Sequence, residues 1–293
     1  MKIDIQGLSK TYKNGKTALA DINLEIGNGM FGLLGPNGAG KSSLMRILVT
    51  IMKASSGNVK IDDYDLIKNR KEIRKMLGYL PQDFRFFTKL KTWEFLDYAA
   101  GLSGIKSKKI RLAKVDEWLE NVGLFDSRER QANKLSGGMK RRLGIAQALI
   151  GDPKIIVVDE PTTGLDPEER IRFRNILSEL SQKDVIIVLS THIVGDISSV
   201  CNDLALLDEG KLQFNGSPEE LVKLAKGHVW QVTTSGTEYD LIKEKYAVIS
   251  TIPTDEGWEV QLVGKDIEAK NVIEIEPNLE HAYVYFMEYL SKH

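Results

Sequence analysis

A glycine-rich loop that ends in a lysine and a serine is the part of this chain best suited to chemistry. Its residues are Gly35-Pro36-Asn37-Gly38-Ala39-Gly40-Lys41-Ser42, which fit the phosphate-binding pattern G-x-x-x-x-G-K-S/T at every fixed position. Glycines let the backbone fold closely around an anion, and backbone N–H groups at a helix start point towards it. Lys41 is placed to reach the β- and γ-phosphates of a nucleotide, and the Ser42 hydroxyl is placed to ligate Mg²⁺.

The segments that flank this loop have the patterns of a buried strand and an amphipathic helix. The apolar run Met30-Phe31-Gly32-Leu33-Leu34 precedes the loop. After the loop, apolar residues recur at the i, i+3, i+4, i+7 spacing of an amphipathic helix, and they are Leu44, Ile47, Leu48 and Ile51. A phosphate loop requires this strand-loop-helix context, whereas the alternative, a glycine-rich turn with a chance lysine, does not.

Two neighbouring carboxylates follow another predicted strand. The apolar run at residues 155–158 leads directly into Asp159 and Glu160. Ligands of open α/β sheets bind at the carboxyl ends of the strands, so both side chains are expected to face the nucleotide. Asp159 suits a contact with Mg²⁺, directly or through water, and Glu160 suits a general base that polarises the attacking water. The alternative is an ordinary acidic strand end.

Continuous apolar runs predict the sheet that holds these groups. The runs at 155–158 and 185–189 do not alternate, which is typical of parallel strands covered on both faces. Residues 1–6 alternate like an edge strand, and residues 1–34 predict strands and hairpins. The fold class is therefore α/β, with a mixed or parallel sheet, N-terminal antiparallel strands and a helical subdomain at about 84–150. Within that subdomain, helices are expected at 91–102, 107–122 and 138–150.

A change of composition near residue 227 predicts a second, smaller domain at 228–293, after a first domain at 1–220. Alternating runs at 229–233, 247–252 and 258–263, with helical patterns at 240–246 and 277–290, predict an α+β appendage. The lone Cys201 has Ile197, Val200 and Leu204 at helical spacing, which favours a packed core cysteine over the alternative, a catalytic thiol.

The charge balance gives no signal for nucleic acid as a partner, because 40 Lys and Arg nearly match 41 Asp and Glu. No run approaches the roughly 18 apolar residues of a membrane-spanning helix. The N-terminus also lacks the apolar core of a signal peptide. A protein that works without its own membrane span is expected.

A second anion-binding signal lies at Leu135-Ser136-Gly137-Gly138-Met139-Lys140-Arg141-Arg142. Two glycines precede a helix that Ser136 can cap, and the same hydroxyl can donate to a phosphate. A plain helix start would also explain these residues. With this segment the sequence resembles the ATP-binding subunits of ABC transporters, of the exporter type with a single nucleotide-binding domain. Their signature is Leu-Ser-Gly-Gly followed by a basic helix start, and the resemblance covers about residues 1–220.

The resemblance implies nucleotide-binding roles. Tyr12 matches the aromatic residue that stacks on adenine, with a surface tyrosine near a turn as the alternative. Residues 35–42 match the Walker A loop, and Ser43 adjoins it as a further ATP contact. Ser136, Gly137 and Gly138 match the signature, and Asp166 matches the loop that crosses the dimer interface, although it also suits the N-cap of a helix.

The resemblance also implies catalytic and metal-binding roles. Glu160 matches the catalytic glutamate, and His192 matches the switch histidine that contacts the γ-phosphate. Gln82 matches the glutamine that contacts both Mg²⁺ and the attacking water. The implied Mg²⁺ ligands are Ser42, Gln82 and Asp159, and the implied cofactors are ATP and Mg²⁺.

A mechanism with defined partners follows from the resemblance. Two ATP-binding subunits, identical or different, sandwich two ATP molecules, so that each ATP touches Lys41 of one subunit and Ser136 of the other. ATP closes the dimer and hydrolysis reopens it. A separate transmembrane permease subunit holds the protein at the inner, cytoplasmic face of the membrane and exports an unidentified substrate. The alternatives are a soluble ABC-type ATPase acting on ribosomes or DNA, and an importer ATPase with a regulatory C-terminal domain.

Some positions depart from the commonest pattern of that family. Met139 stands where many members have glutamine and Gly164 where many have alanine, and both resemble the single-domain exporter branch. The permease is expected to dock near the segment Asp83-Phe84-Arg85-Phe86-Phe87. Its phenylalanines line a docking groove in one interpretation and belong to the core in the other.

Overall fold

The computed structural model describes residues 1–82, 84, 89–162, 165–198, 200–255 and 257–291. The chain divides into two compact units. The first comprises Met1–Asp196 and Val200–Asn215. The second comprises the chain from Gly216 onwards, together with a short separate piece that starts at Ile197. Gly164, Asp83 and residues 85–87, to which the sequence patterns assign roles, lie outside the described residues.

The strands and helices up to residue 216 are β1 (Ile3–Thr11), β2 (Thr17–Ile26), β3 (Gly29–Leu34), α1 (Lys41–Leu48), β4 (Ser56–Ile61), β5 (Tyr64–Asp65), α2 (Arg70–Met76), β6 (Leu77–Leu80), α3 (Thr92–Leu102), α4 (Lys108–Asn121), α5 (Gly137–Leu149), β7 (Ile155–Asp159), α6 (Pro167–Ser181), β8 (Ile186–Thr191), α7 (Val194–Ser198), β9 (Asp203–Asp208) and β10 (Lys211–Gly216). The elements that follow are α8 (Pro218–Leu224), β11 (Val229–Thr234), α9 (Thr237–Lys245), β12 (Ala247–Thr254), β13 (Gly257–Val263), β14 (Val272–Glu274) and α10 (Leu279–Tyr285), with a π-helical turn at Phe286–Leu290.

The N-terminal strands form an antiparallel sheet in the order β2-β1-β4-β5. β1 pairs with β2 on one side and β4 on the other, so the prediction of an edge strand at residues 1–6 is wrong. The alternation arises because Ile3, Ile5 and Leu8 are buried while the residues between them are less so. Alternation reports that one face of a strand is buried, and it carries no information on how many neighbours the strand has.

The second sheet has the order β10-β9-β3-β8-β7-β6, and the pairs from β9 to β6 are parallel. Every residue of β7 and β8 is buried, which confirms the strands predicted from continuous apolar runs. The register places Leu34 beside Thr191, and Asp159 beside Ser190. The carboxyl ends of three neighbouring strands therefore meet at one edge of this sheet.

Helix α1 follows the phosphate loop and packs into the core between the two sheets. Leu44, Ile47 and Leu48 are buried as predicted, together with Met45. Ile51, predicted as the last member of the stripe, is 60% exposed. The helix ends at Leu48, and Thr50 has a left-handed φ of 60°, which takes Ile51 out of the helical phase.

The helical subdomain consists of α3, α4 and α5, at the three predicted positions, around a core of its own. Phe95, Val115 and Leu143 belong to this core, and Phe84 packs edge-on against Phe95 with ring centroids 6.0 Å apart. Phe84 thus lies against the core, as one of the two interpretations predicted. Among the residues described, no helix combines the length and apolarity that crossing a bilayer would require.

The second unit has an antiparallel sheet in the order β12-β13-β11-β14. Val232, Ile242 and Leu262 join α9 to one face of this sheet, and α8 packs against α10. The α+β character predicted for the C-terminal appendage is confirmed, and its elements follow the order β11-α9-β12-β13-β14-α10.

Cys201 is buried, but the reason differs from the predicted one. It lies between the end of α7 at Ser198 and the start of β9 at Asp203, so it has no helical spacing with Leu204. Burial raises the pKa of the Cys201 thiol to about 12, and the negative charge of Asp196 contributes in the same direction.

We expect Cys201 to resist thiol-specific reagents in the folded protein. Only the thiolate reacts, and raising the pKa from 9.0 to about 12 lowers its fraction at pH 8 by about 10³-fold. The measurement is the rate of labelling by a disulfide reagent at pH 8, with the urea-unfolded chain as the reference. Equal rates in the folded and unfolded chains would contradict the buried position.

Candidate nucleotide-binding site

The phosphate loop connects β3 to α1 and packs tightly against its surroundings. Gly35 and Gly40 have φ values of 154° and 107°. A Cβ on Gly35 would lie 2.1 Å from the carbonyl oxygen of Leu207, and one on Gly40 would lie 2.3 Å from that of Ala18. Both positions therefore require glycine. A Cβ on Gly38, which has a φ of 89°, would meet no atom within 4 Å, so this side of the loop is open.

Lys41 folds back over this loop. Its Nζ donates to the carbonyl oxygen of Gly35 at 2.6 Å and to that of Pro36 at 3.0 Å, and the residue is only 4% exposed. Burial lowers the pKa of Lys41, while the charges of Glu160 and Asp159 act in the opposite direction. A desolvated ammonium group held in place in this way is suited to an anionic ligand.

Asp159 lies within a small group of oxygen atoms at the end of β7. Its Oδ1 accepts a hydrogen bond from Ser190 Oγ at 2.6 Å and lies 3.4 Å from Ser42 Oγ. Carboxylate, hydroxyl and amide oxygens are hard ligands of the kind Mg²⁺ prefers, and Mg²⁺ usually takes only one or two carboxylates alongside phosphate oxygens.

The carboxylate of Glu160 is where the predicted catalytic side chains meet. Its Oε2 lies 3.3 Å from Gln82 Nε2 and 3.2 Å from His192 Nδ1, and its Oε1 lies 3.8 Å from Lys41 Nζ. Glu160 has a φ of 45°. Its N–H donates to both the carbonyl oxygen and the Oγ of Ser190, each at 3.1 Å. A non-glycine residue in the left-handed region is a strained position that the surroundings must enforce, and such positions cluster at functional sites.

Part of the phosphate loop and the side chains of Gln82, Glu160 and His192 line one cavity of about 670 Å³ in the first unit, and Asp159 lies outside its lining. Its lining consists of Tyr12, Lys16, Ala18, Asn37, Gly38, Gly40, Lys41, Ser42, Ser43, Gln82, Glu160 and His192. The Tyr12 hydroxyl is 2.9 Å from Ser43 Oγ, which fixes the ring beside the helix start. The structure thus brings the predicted adenine platform, phosphate loop and catalytic residues together in a space of the size that small-molecule sites occupy.

The predicted signature and interface residues do not line this cavity. Ser136, Gly137 and Asp166 are exposed. Ser136 Oγ accepts from the N–H of Met139 at 3.2 Å, and Asp166 Oδ1 accepts from the N–H of Glu169 at 2.9 Å, so each caps a helix as local chemistry predicts. Within a single chain, these groups do not share a pocket with Lys41.

Four residues of the site were not predicted. Lys16 and Ala18 line the cavity, Ser190 holds Asp159 and Glu160, and Arg141 donates to main-chain carbonyls of both Gln82 and Glu160. Ser190 and Arg141 stand inside segments that the sequence patterns singled out, beside His192 and Ser136 respectively. Lys16 follows a turn at Lys13-Asn14-Gly15, and nothing in its local sequence indicates a site.

The comparisons with known proteins agree on one family. A family model described as ABC transporter matches residues 19–163. YxlF of Bacillus subtilis, an ABC transporter ATP-binding protein, is 33% identical over 244 residues, which cover 83% of this chain and 80% of that protein. This chain belongs to the ABC transporter ATP-binding proteins. YbhF of Escherichia coli, named a probable multidrug ABC transporter ATP-binding protein, is 36% identical over 79% of this chain and 40% of its own length.

A solved structure supports the same assignment. The ATP-binding cassette MJ0796, as a dimer in a post-hydrolysis state with ADP and Pi, is 27% identical, with a TM-score of 0.68 over 73% of this chain and 98% of that chain. The expected α/β fold and the ABC family are confirmed, and with them ATP binding and the ATPase activity of the family.

Proposed function

We propose that this ABC ATPase subunit drives export through a separate transmembrane permease, by closing on ATP as a dimer. The observation that supports the catalytic part most strongly is the Glu160 carboxylate, within 3.3 Å of both Gln82 and His192. Export is favoured by Met139 in the signature and by the multidrug name of YbhF. ATP is the substrate, and the transported compound is selected by the permease.

The residues of the cavity divide the hydrolytic work. Glu160 Oε2 accepts a proton from the water whose oxygen attacks the γ-phosphorus, and the bond from that phosphorus to the leaving ADP oxygen breaks. Gln82 orients this water, and His192 holds the γ-phosphate. Ser42, Asp159 and Gln82 would hold Mg²⁺, which when bound neutralises charge on the β- and γ-phosphate oxygens.

The exposed signature supports a role for a second subunit. Ser136 is the N-cap and Gly137 the first residue of the thirteen-residue helix α5, and neither residue lines the cavity of its own chain. A helix N-terminus is a favourable anion site, so a second copy can place it over the ATP held by Lys41. The dimeric form of MJ0796 supports this arrangement. Because one chain contains both halves of the site, a homodimer is the proposed form.

We expect the protein to co-purify with a multi-span membrane protein from its source cells. A tagged chain is isolated from detergent-solubilised membranes, and its partners are identified by mass spectrometry. The proposal places the chain at the cytoplasmic face of the membrane, so alkaline carbonate should strip it from membranes that retain the permease. Recovery with ribosomes or DNA, in amounts that fall with added salt, would instead support the soluble ATPase alternative.

A further inference from the structure

Arg141, on the signature helix α5, contacts an unusual set of main-chain groups. Its three guanidinium nitrogens reach five carbonyl oxygens of the first unit. Nε donates to Pro161 at 2.8 Å, Nη1 donates to Gln82 at 2.9 Å and Pro81 at 3.3 Å, and Nη2 donates to Glu160 at 2.6 Å and Asp159 at 3.2 Å. Guanidinium carries five N–H donors in a rigid plane, so one side chain can serve all five acceptors.

The five acceptors belong to two separate segments. One follows β6 and carries Gln82, and the other begins at Asp159, the last residue of β7, and carries Glu160. The backbone pairing of these two strands ends at Leu80 and Val158, just before both segments. Arg141 therefore joins the two segments at the point where the pairing of β6 with β7 stops, and it does so on the carbonyls of Gln82 and Glu160 themselves.

Helix α5 also lies very close to the β6 segment one turn further along. A Cβ added to Gly144 would lie 2.8 Å from Leu80 Cδ1 and 3.0 Å from the ring of Phe84. This close approach fixes the separation of helix α5 from the β6 segment, and with it the distance that the Arg141 side chain spans. A larger residue at position 144 would push the helix away. The shortest of the five hydrogen bonds goes to the carbonyl of Glu160, whose left-handed φ needs enforcement.

We propose that Arg141 is a positioning residue that sets the separation of Gln82 Nε2 and Glu160 Oε2, 3.3 Å in this structure. It acts through the main-chain carbonyls of Gln82 and Glu160, to which its guanidinium donates. The proposal rests on the catalytic roles proposed above for Gln82 and Glu160. It also links the signature helix of a subunit to the catalytic pair of that same subunit.

The test compares Arg141→Gln and Arg141→Lys with the wild-type protein. Both variants should lower kcat by about 10²-fold, since a displacement near 1 Å from the productive geometry costs about that much. The dissociation constant for ATP should stay unchanged, because Lys41 and the phosphate loop are untouched. The lysine variant keeps the charge but has no planar fork, so full activity in Arg141→Lys would overturn the proposal.

Arg111→Gln is the matched control for lost stability. Arg111 lies in the helical subdomain, where it pairs with Asp97 at 2.8 Å and donates to the carbonyls of Ile105 and Lys106 at 3.2 and 3.0 Å. Its loss removes a similar set of contacts away from the cavity. If the Arg111 and Arg141 variants lose kcat in the same proportion to their loss of Tm, the role of Arg141 is merely structural and the proposal is overturned.

A double-mutant cycle with Gln82→Ala gives the second readout. If Arg141 acts through Gln82 and Glu160, the loss in the double variant is smaller than the product of the two single losses. Independent, multiplicative losses would overturn the inference. Normal turnover by Glu160→Gln would instead overturn the proposed function itself. A dead Glu160→Gln beside a fully active Arg141→Gln would overturn the positioning role alone.

Discussion

Glu160→Gln is expected to lower the ATP turnover number by about 10²–10⁴-fold, the contribution of a positioned general base. Glutamine keeps the shape of the side chain but cannot accept the proton of the attacking water. Contacts with Gln82 and His192 lie on Oε2, and amide atoms can maintain both at similar distances. The measurement is steady-state phosphate release at saturating MgATP.

The same variant should bind ATP as the wild-type protein does, because the phosphate loop and Lys41 are unchanged. Glu179→Gln is the matched control, since Glu179 is an exposed residue of α6 far along the helix from Asp166. It should retain full turnover. Normal hydrolysis by Glu160→Gln would contradict the assignment of Glu160 as the general base. It would also contradict the interpretation of its left-handed φ as a sign of a functional position.

Lys41→Ala is expected to weaken ATP binding by about 10²-fold. Hydrogen bonds to charged groups contribute about 1.5–3 kcal/mol each, and two such contacts with phosphate oxygens at the lower end of that range account for the loss. In this structure the hydrogen bonds of the ammonium group go to the carbonyls of Gly35 and Pro36 within its own loop. Isothermal titration with ATP at constant ionic strength measures the change.

Folding is expected to survive the Lys41→Ala change. The substitution removes a buried group whose pKa is already lowered by desolvation, so the charged form is disfavoured there before any anion binds. Lys60→Ala, an exposed lysine on β4, controls for the loss of one positive charge. Equal ATP affinity in both variants would contradict the placement of Lys41 at the phosphates.

Much of the fold could be predicted because its signals are local. Continuous apolar runs identified the buried strands β7 and β8, and the N-cap at Asp166 identified the start of α6. The failures share one cause. The position of β1 in its sheet and the exposure of Ile51 depend on partners and turns that no short pattern contains.

The candidate site could be predicted where a residue type in a short sequence pattern has one characteristic chemical role. The phosphate loop, Asp159 and Glu160 are of this kind, and the fold brings them to one edge of the parallel sheet. Arg141 escaped prediction because an arginine at a helix start is typical of ordinary surfaces. Its contacts depend on main-chain carbonyls far away in sequence, at distances of 18 to 60 residues along the chain. Tertiary structure alone creates such a set of acceptors.

The molar mass of Glu160→Gln with saturating MgATP tests the central claim most directly. Light scattering should give about twice 32.8 kDa with MgATP and 32.8 kDa without it, because two chains close on two uncleaved ATP molecules. Adding Ser136→Arg should keep the chain monomeric. Ser107→Arg, at the exposed N-cap of α4, should still allow the dimer. A Glu160→Gln chain that binds MgATP and stays at 32.8 kDa would contradict the account.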